Sequence, residues 1–276
     1  MILVTGCNGQ LGMELQQILK SDEAIFADRK IADIENYDQV EKLILEKNVN
    51  SIINCAAYTN VDLAEKEVDK AFGVNEKGAL NMALLAKKYN LTLIHISTDY
   101  VFDGSGNVPL KEDDPTYPIS VYGKSKLAGE KRILEVNPNG AIIRTSWLYS
   151  RFGKNFYNTM VKLGNERNDL NVVFDQVGTP TCASELAKSI ILILPKIKSE
   201  SCEIYHYSNE GIASWFDFAV AIMKKNKSQC LVFPIESKDY VTPARRPVFS
   251  VLKKDKIKNK LGVSILHWQL AMDKYL

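Results

Sequence analysis

The chain has 276 residues, 46% hydrophobic and 25% charged, and its 35 basic against 33 acidic side chains leave a formal charge of +2. Such averages exclude a disordered chain, a fibrous repeat and a basic nucleic-acid coat. No run approaches the roughly 18 apolar residues that a spanning helix requires, and the stretch Ile190 to Leu194 is cut off by Pro195.

Met1 runs directly into Ile-Leu-Val and a glycine-rich turn, so a secretory leader is not expected. Ile2 to Thr5 reads as a first strand and Gln10 to Lys20 as a helix, with Leu11, Leu15, Ile18 and Leu19 on one stripe. A strand at Ala24 to Ala27 precedes a helix from Tyr37 to Glu46; a third strand at Ser51 to Cys55 follows. Leu80 to Tyr89 ends a long helical stretch. Leu91 to Ser97 is a fourth strand, apolar on both faces as a strand covered by helices must be. The turn Asn137-Pro138-Asn139-Gly140 introduces a fifth strand, Ala141 to Arg144.

Beyond Trp147 the sequence predicts helices at Asn155 to Asn165, Ser184 to Leu194 and Trp215 to Lys225, with strands at Asn171 to Phe174 and Ile204 to Tyr207. Alternation of this kind implies an α/β fold: a doubly wound, Rossmann-like parallel sheet with a smaller mixed α/β lobe. Residues 1–146 are expected to form the dinucleotide-binding part. Residues 147–276 supply mainly the second lobe, with segments returning to the sheet.

The first strand leads into glycines 6, 9 and 12 at the start of a helix, with Gln10 and Leu11 between the last two. Physically, the first glycine permits a tight turn, the second lets a pyrophosphate reach backbone N–H groups, and the third lets helix and strand pack closely. After the second strand come Asp28, Arg29 and Lys30, then Asp33 and Ile34. An acid there binds ribose hydroxyls and favours NAD, while a cation pairs with a 2′-phosphate and favours NADP. Both types are present, and Arg29 and Lys30 equally read as solvated loop charges, so NADPH and NADH both remain open.

Tyr122 and Lys126 lie four residues apart, one helical turn, and so share a face. A phenol titrates near 10, too high for ready proton exchange at neutral pH, and a neighbouring ammonium is expected to favour its phenolate. The spacing alone arises by chance about once in a chain this rich in Tyr and Lys. Position gives it weight, because the pair follows a strand ending Ile96-Ser97-Thr98-Asp99, and the carboxyl ends of strands border the ligand crevice of a doubly wound sheet. Thr98 is then expected to donate to a substrate carbonyl while Tyr122 delivers a proton.

The glycine pattern, the Ser97-Thr98-Asp99-Tyr100-Val101-Phe102 stretch and the Tyr122/Lys126 pair resemble the extended short-chain dehydrogenase/reductase family. Companion strings narrow the likeness: Lys126-Leu127-Ala128-Gly129-Glu130, Arg144-Thr145-Ser146-Trp147, Asp175-Gln176-Val177-Gly178 and Thr242 to Pro247 are similar to those of its branch that reduces 4-keto-6-deoxy sugars on a thymidine diphosphate. What the resemblance implies is a cytoplasmic NADPH- or NADH-dependent oxidoreductase serving surface-polysaccharide synthesis, acting as a monomer or homodimer on a small nucleotide sugar, without nucleic acid or membrane. It places Gly6, Gly9, Gln10, Leu11 and Gly12 on the cofactor diphosphate and Asp33 and Ile34 by the adenine. Ala56, Ala57 and Tyr58 would line the cofactor; Tyr122 would donate the proton and Lys126 would hold the nicotinamide ribose. Thr98, Asp99 and Trp147 would contact the sugar, while Arg245 and Arg246 would either fork onto the nucleotide diphosphate or brace a Pro-flanked loop.

Some members dimerise around magnesium held by acidic residues. Glu14 matches one of these, but Ser184, beside Glu185, and His267 fall at the others, so no metal is expected and Glu14 reads as a surface carboxylate. The three histidines, His95, His206 and His267, read as structural, and Lys253 to Lys260 as a solvated helix face. Cys7, Cys55, Cys182, Cys202 and Cys230 form no C-x-x-C, which suits a reducing compartment. An epimerase or a non-catalytic regulatory subunit on the same scaffold are the alternatives.

Overall fold

Leu3-Val4, Ile52-Ile53, Leu93-Ile94 and Ile142-Ile143 are adjacent apolar pairs, and neighbours on a strand point to opposite faces, so each strand needs cover on both sides. The computed structural model, which describes residues 1–197 and 201–276, provides that cover. Its first part alternates β1 (Ile2–Thr5), α1 (Gln10–Gln16), β2 (Ala24–Ala27), α2 (Tyr37–Glu46), β3 (Ser51–Asn54), α3 (Val61–Ala64) and α4 (Val68–Phe72). It continues with α5 (Ala79–Lys88), β4 (Thr92–Thr98), α6 (Val121–Val136) and β5 (Gly140–Thr145). There follow β6 (Leu148–Tyr149), α7 (Phe156–Glu166), β7 (Asp169–Val173), β8 (Val177–Gly178), β9 (Thr181–Cys182), α8 (Ala183–Ile193) and β10 (Cys202–His206). The last elements are β11 (Ala213–Ser214), α9 (Trp215–Lys225), β12 (Leu231–Ile235), α10 (Asp255–Leu261) and α11 (Trp268–Tyr275).

Six strands form one parallel sheet in the order β10-β5-β4-β3-β1-β2. Leu3, Ile52, Leu93 and Ile142 pack with Val40 and Ile44 of α2 and Met82 and Leu85 of α5. On the other face Val4, Ile53, Ile94 and Ile143 meet Leu11 and Leu15 of α1 and Leu186 and Ile190 of α8. The chain leaves β1 toward β2 on one side and returns to β3 on the other, which opens a crevice at the strands' carboxyl ends. A third core, with Tyr149, Phe218, Ile222, Trp268 and Met272, consolidates the C-terminal lobe. No helix among the described residues is long and apolar enough to cross a membrane.

Three differences from the sequence reading have identifiable causes. Helix α1 ends at Gln16 rather than near Lys20, because Gln17 and Ile18 N–H close tighter bonds to the carbonyls of Glu14 and Leu15, leaving Ile18 exposed. Glu14 is no surface carboxylate: it is 2% exposed and accepts the Ser150 hydroxyl at 2.6 Å. The basic run is likewise only partly solvated, since Lys254 is buried against the Asn209 carbonyl at 3.0 Å, and Lys256 and Lys260 pair with Glu203. His206 is buried with Nδ1 3.1 Å from the Leu110 carbonyl, and His267 caps α11.

Candidate active site

A cavity of about 840 Å³ occupies the crevice. Its floor comes from the carboxyl ends of the strands and one wall from the C-terminal lobe. Sixteen of the nineteen residues singled out in the sequence line it: Gly6, Gly9, Gln10, Leu11 and Gly12 at one end, with Arg29, Asp33 and Ile34 beyond β2, and Ala56, Ala57 and Tyr58 after β3. Thr98, Asp99, Tyr122, Lys126 and Trp147 line the remainder.

The glycine turn is shaped by contact. Gly6 sits at φ +65, a left-handed conformation natural to glycine, and an added Cβ there would stand 2.6 Å from the Ala56 nitrogen. A Cβ on Gly12 would stand 2.5 Å from the Gly6 carbonyl oxygen, so α1 can only approach the turn this closely without a side chain. The turn and helix thus form a cradle, and the buried Oε1 of Gln10, Oδ2 of Asp99 and Oγ1 of Thr145, all on lining residues, lack hydrogen-bond partners. Unpaired buried polar atoms are costly, and a polar ligand such as a dinucleotide with its substrate fits that need.

Tyr122 lies in the first turn of α6, which Ser120 caps by accepting the Gly123 N–H at 3.1 Å. Its ring meets Tyr100 edge-on at 5.4 Å. Burial pushes the phenol up to about 12, opposed by the neighbouring Thr98 hydroxyl and reinforced by the nearby Asp99. The expected depression of this phenol by Lys126 is therefore not met. Lys126 Nζ instead donates to the Ile96 carbonyl at 2.7 Å and lies 3.2 Å from His95 Nε2; burial lowers it to about 8 although Glu130 and Cys55 oppose the fall. Thr98 directs its hydroxyl to Asp99 Oδ1 at 3.1 Å, not outward as expected. Burial raises Asp99 to about 7, with Ser250 and Thr98 holding it back.

Trp147 has φ 47, an outlier for a bulky residue that stores about 1–3 kcal/mol of strain. Its carbonyl accepts the Thr181 N–H at 3.1 Å, and its indole stacks on Trp215 at 3.6 Å with the planes 7° apart. Gly178 makes room for that indole, because a Cβ would lie 2.7 Å from Trp147 Cε2.

Three sequence candidates lie outside the lining. Asp28 accepts the N–H groups of Lys30 and Ile31 on its Oδ1, at 2.9 and 3.1 Å, and so shapes the loop. Arg246 grips Asp62 through Nη1 and Nη2 of its guanidinium, at 3.1 and 2.8 Å, while Arg245 is exposed. Their diphosphate fork is not formed; Arg246 braces the Pro-flanked loop against α3. Arg29 does border the cavity, largely exposed and paired with Asp33 and Glu35 at 3.0 Å each.

Residues the sequence reading missed complete the site. Trp215 appeared only as the start of a helix, and Thr145 only within a string. Asn75, buried in a π-helical segment at 73–78, accepts the Tyr58 N–H at 2.9 Å and donates to Ser125 of α6 at 2.9 Å, tying the cofactor-side loop to the Tyr122 helix. His95, read as structural, touches Lys126. Only its place two residues before Ser97 on the crevice strand hinted at this.

The model of the family described as RmlD substrate binding domain matches residues 1–276. A curated relative, the spore coat polysaccharide biosynthesis protein SpsK of Bacillus subtilis (strain 168), is 40% identical over 277 residues, covering 100% of this chain and 96% of its own. The dTDP-4-dehydrorhamnose reductase of Aggregatibacter actinomycetemcomitans is 41% identical over 283 residues, covering 98% of this chain and 96% of its own. A crystal structure of the Bacillus anthracis str. Ames dTDP-4-dehydrorhamnose reductase in complex with NADP superposes with a TM-score of 0.93 at 37% identity, covering 99% of this chain and 97% of that one.

Proposed function

The chain belongs to the RmlD substrate binding domain family, and from that premise we propose that it reduces the C4 ketone of dTDP-4-dehydrorhamnose with NADPH, giving dTDP-L-rhamnose. The observation that carries the reading is the convergence of Tyr122, Lys126 and Thr98 on one cavity whose far end is the glycine cradle. When bound, the reduced nicotinamide supplies two electrons and a hydrogen to carbon. The residues of the chain do the rest. Tyr122, kept protonated at neutral pH by burial, gives its proton to the oxygen that becomes an alkoxide. Thr98 turns its hydroxyl from Asp99 toward that oxygen, and Asp99 holds a neighbouring sugar hydroxyl.

Lys126 assists Tyr122 from the same helical face and holds the ribose. Gly6 and Gly12 admit the diphosphate against backbone N–H groups, while Arg29, free to leave Asp33 and Glu35 at the solvent edge, meets the 2′-phosphate that distinguishes NADPH. The stacked Trp147 and Trp215 wall the sugar. In this reading residues 1–146 bind the dinucleotide and 147–276 mainly the sugar nucleotide, although β10 extends the sheet and α8 covers it. The reading holds for a monomer or a homodimer. All five cysteines are free, which fits a reducing cytoplasm, where the product feeds a surface polysaccharide.

The test supplies freshly made dTDP-4-dehydrorhamnose with NADPH and follows absorbance of the reduced cofactor. Substrate-dependent oxidation is expected, and Tyr122→Phe lowers kcat by at least ~100-fold while leaving NADPH affinity nearly unchanged. Absence of oxidation by folded protein, or full activity of Tyr122→Phe, refutes it.

A further inference from the structure

Behind Lys126 runs a line of buried polar groups that the reaction as described does not use. Thr5 donates its hydroxyl to Asn54 Oδ1 at 2.7 Å, Asn54 Nδ2 lies 3.0 Å from His95 Nδ1, and His95 Nε2 lies 3.2 Å from Lys126 Nζ. Thr5, Asn54, His95 and Lys126 are each no more than 1% exposed, so their donors and acceptors must be matched with one another and with the backbone around them.

The matching has a fixed starting point. The Ala56 backbone N–H, which can only donate, points at Asn54 Oδ1 from 3.2 Å. The carbonyl end of the Asn54 amide therefore faces Thr5 and Ala56, and its NH2 faces His95. His95 Nδ1 must accept. A neutral imidazole carries a single proton, which then resides on Nε2 and points at Lys126. An ammonium has no lone pair to receive it, whereas an amine does and can still donate to the Ile96 carbonyl at 2.7 Å.

We propose that His95 is a positioning residue: Thr5, Ala56 and Asn54 lock it as the Nε2–H tautomer, and in that form it donates to Lys126 and favours the amine over the ammonium. The lysine then changes charge close to working pH, taking up a proton when a ligand offers an acceptor at its open side.

The other groups near Lys126 leave this assignment intact. From its own helix Tyr122 and Glu130 face it, and Glu130 is already engaged by Arg144 at 2.7 Å; just after β3 comes the Cys55 thiol, which burial keeps protonated. His95 itself is held neutral by burial. Only the consequence for turnover rests on the reading of Lys126 as the partner of Tyr122.

The experiment is a long-range ¹H–¹⁵N correlation spectrum of the full chain, which has three histidines; His95→Gln identifies the His95 signals by their loss. The Nε2–H pattern is expected from pH 6 to 9. Asn54→Asp keeps the acceptor toward Thr5 and Ala56 and exchanges the donating NH2 for an acceptor; it also brings a carboxylate charge, which by itself favours the Lys126 ammonium, so the His95 tautomer is the deciding readout. The substitution should flip His95 to the Nδ1–H tautomer and raise the titration midpoint of the Lys126 Cε resonance by at least about one pH unit, a tenfold gain in proton affinity.

An Nδ1–H tautomer or an imidazolium in the unaltered chain overturns the proposal, as does an Nε2–H pattern that persists in folded Asn54→Asp. Should Asn54→Asp fail to fold, the tautomer of the unaltered chain decides alone. Because neither readout involves turnover, a chain that shows the Nε2–H tautomer but reduces no sugar nucleotide defeats the proposed function and not this inference.

Discussion

Asp99 offers the clearest link between a buried charge at the cavity wall and the stability of the whole fold. Burial carries its carboxyl from the ordinary 3.8 to about 7, so between those pH values the folded chain keeps a proton that the unfolded chain has released. Folding then takes up a proton, and stability falls as pH rises through that window. At about 1.4 kcal/mol for each tenfold change in proton affinity, the cost approaches about 4 kcal/mol above pH 7. Asp99→Asn replaces the carboxylate with a neutral group of the same shape and removes that cost. Thermal unfolding should show the variant more stable by up to about 4 kcal/mol at pH 8, roughly 10 °C for a chain of this size, but by under about 2 kcal/mol at pH 5. An equal gain at both pH values would trace the effect to packing, and no gain at pH 8 would refute the reasoning. The oxygen of Asp99 left unpaired is the one that the proposed contact with a sugar hydroxyl would engage.

Gly178→Ala places a methyl group 2.6 Å from Ser250 Oγ and 2.7 Å from Trp147 Cε2. It should shift tryptophan fluorescence and raise the KM for the sugar nucleotide at least about fivefold, close to 1 kcal/mol, with the KM for NADPH unchanged; an unaltered sugar KM would remove Trp147 from the sugar wall. Glu130 receives Arg144 through Nε and Nη2 and the Ser97 hydroxyl at 2.5 Å, deep beneath the cavity. Glu130→Ala strands the Arg144 charge and should cost about 3–5 kcal/mol in denaturant unfolding, part of it recovered in the double variant with Arg144→Met. A loss below about 1 kcal/mol would mean that water reaches the guanidinium.

The amino-acid sequence determined the sheet and the end of it that binds ligand. Paired apolar residues on four strands require helices on both faces, the glycines at 6 and 12 allow only a close turn, and Tyr122 and Lys126 share a face because four residues make about one helical turn. These are local rules, readable along the chain. The strand β12, which contains Pro234, and helix α11 carry no strong period of their own to predict them, and each is held by the lobe core. Which charges stay free was decided by contacts between residues far apart in sequence. Asp28 and Arg246 have suitable chemistry for a ligand, but backbone N–H groups and Asp62 claim them. His95 looks like any strand residue until Asn54, 41 positions earlier, and Lys126, 31 positions later, close on its two ring nitrogens. A side chain's charge and tautomer follow from the partners that burial forces on it, and those partners are fixed only when the sheet has closed.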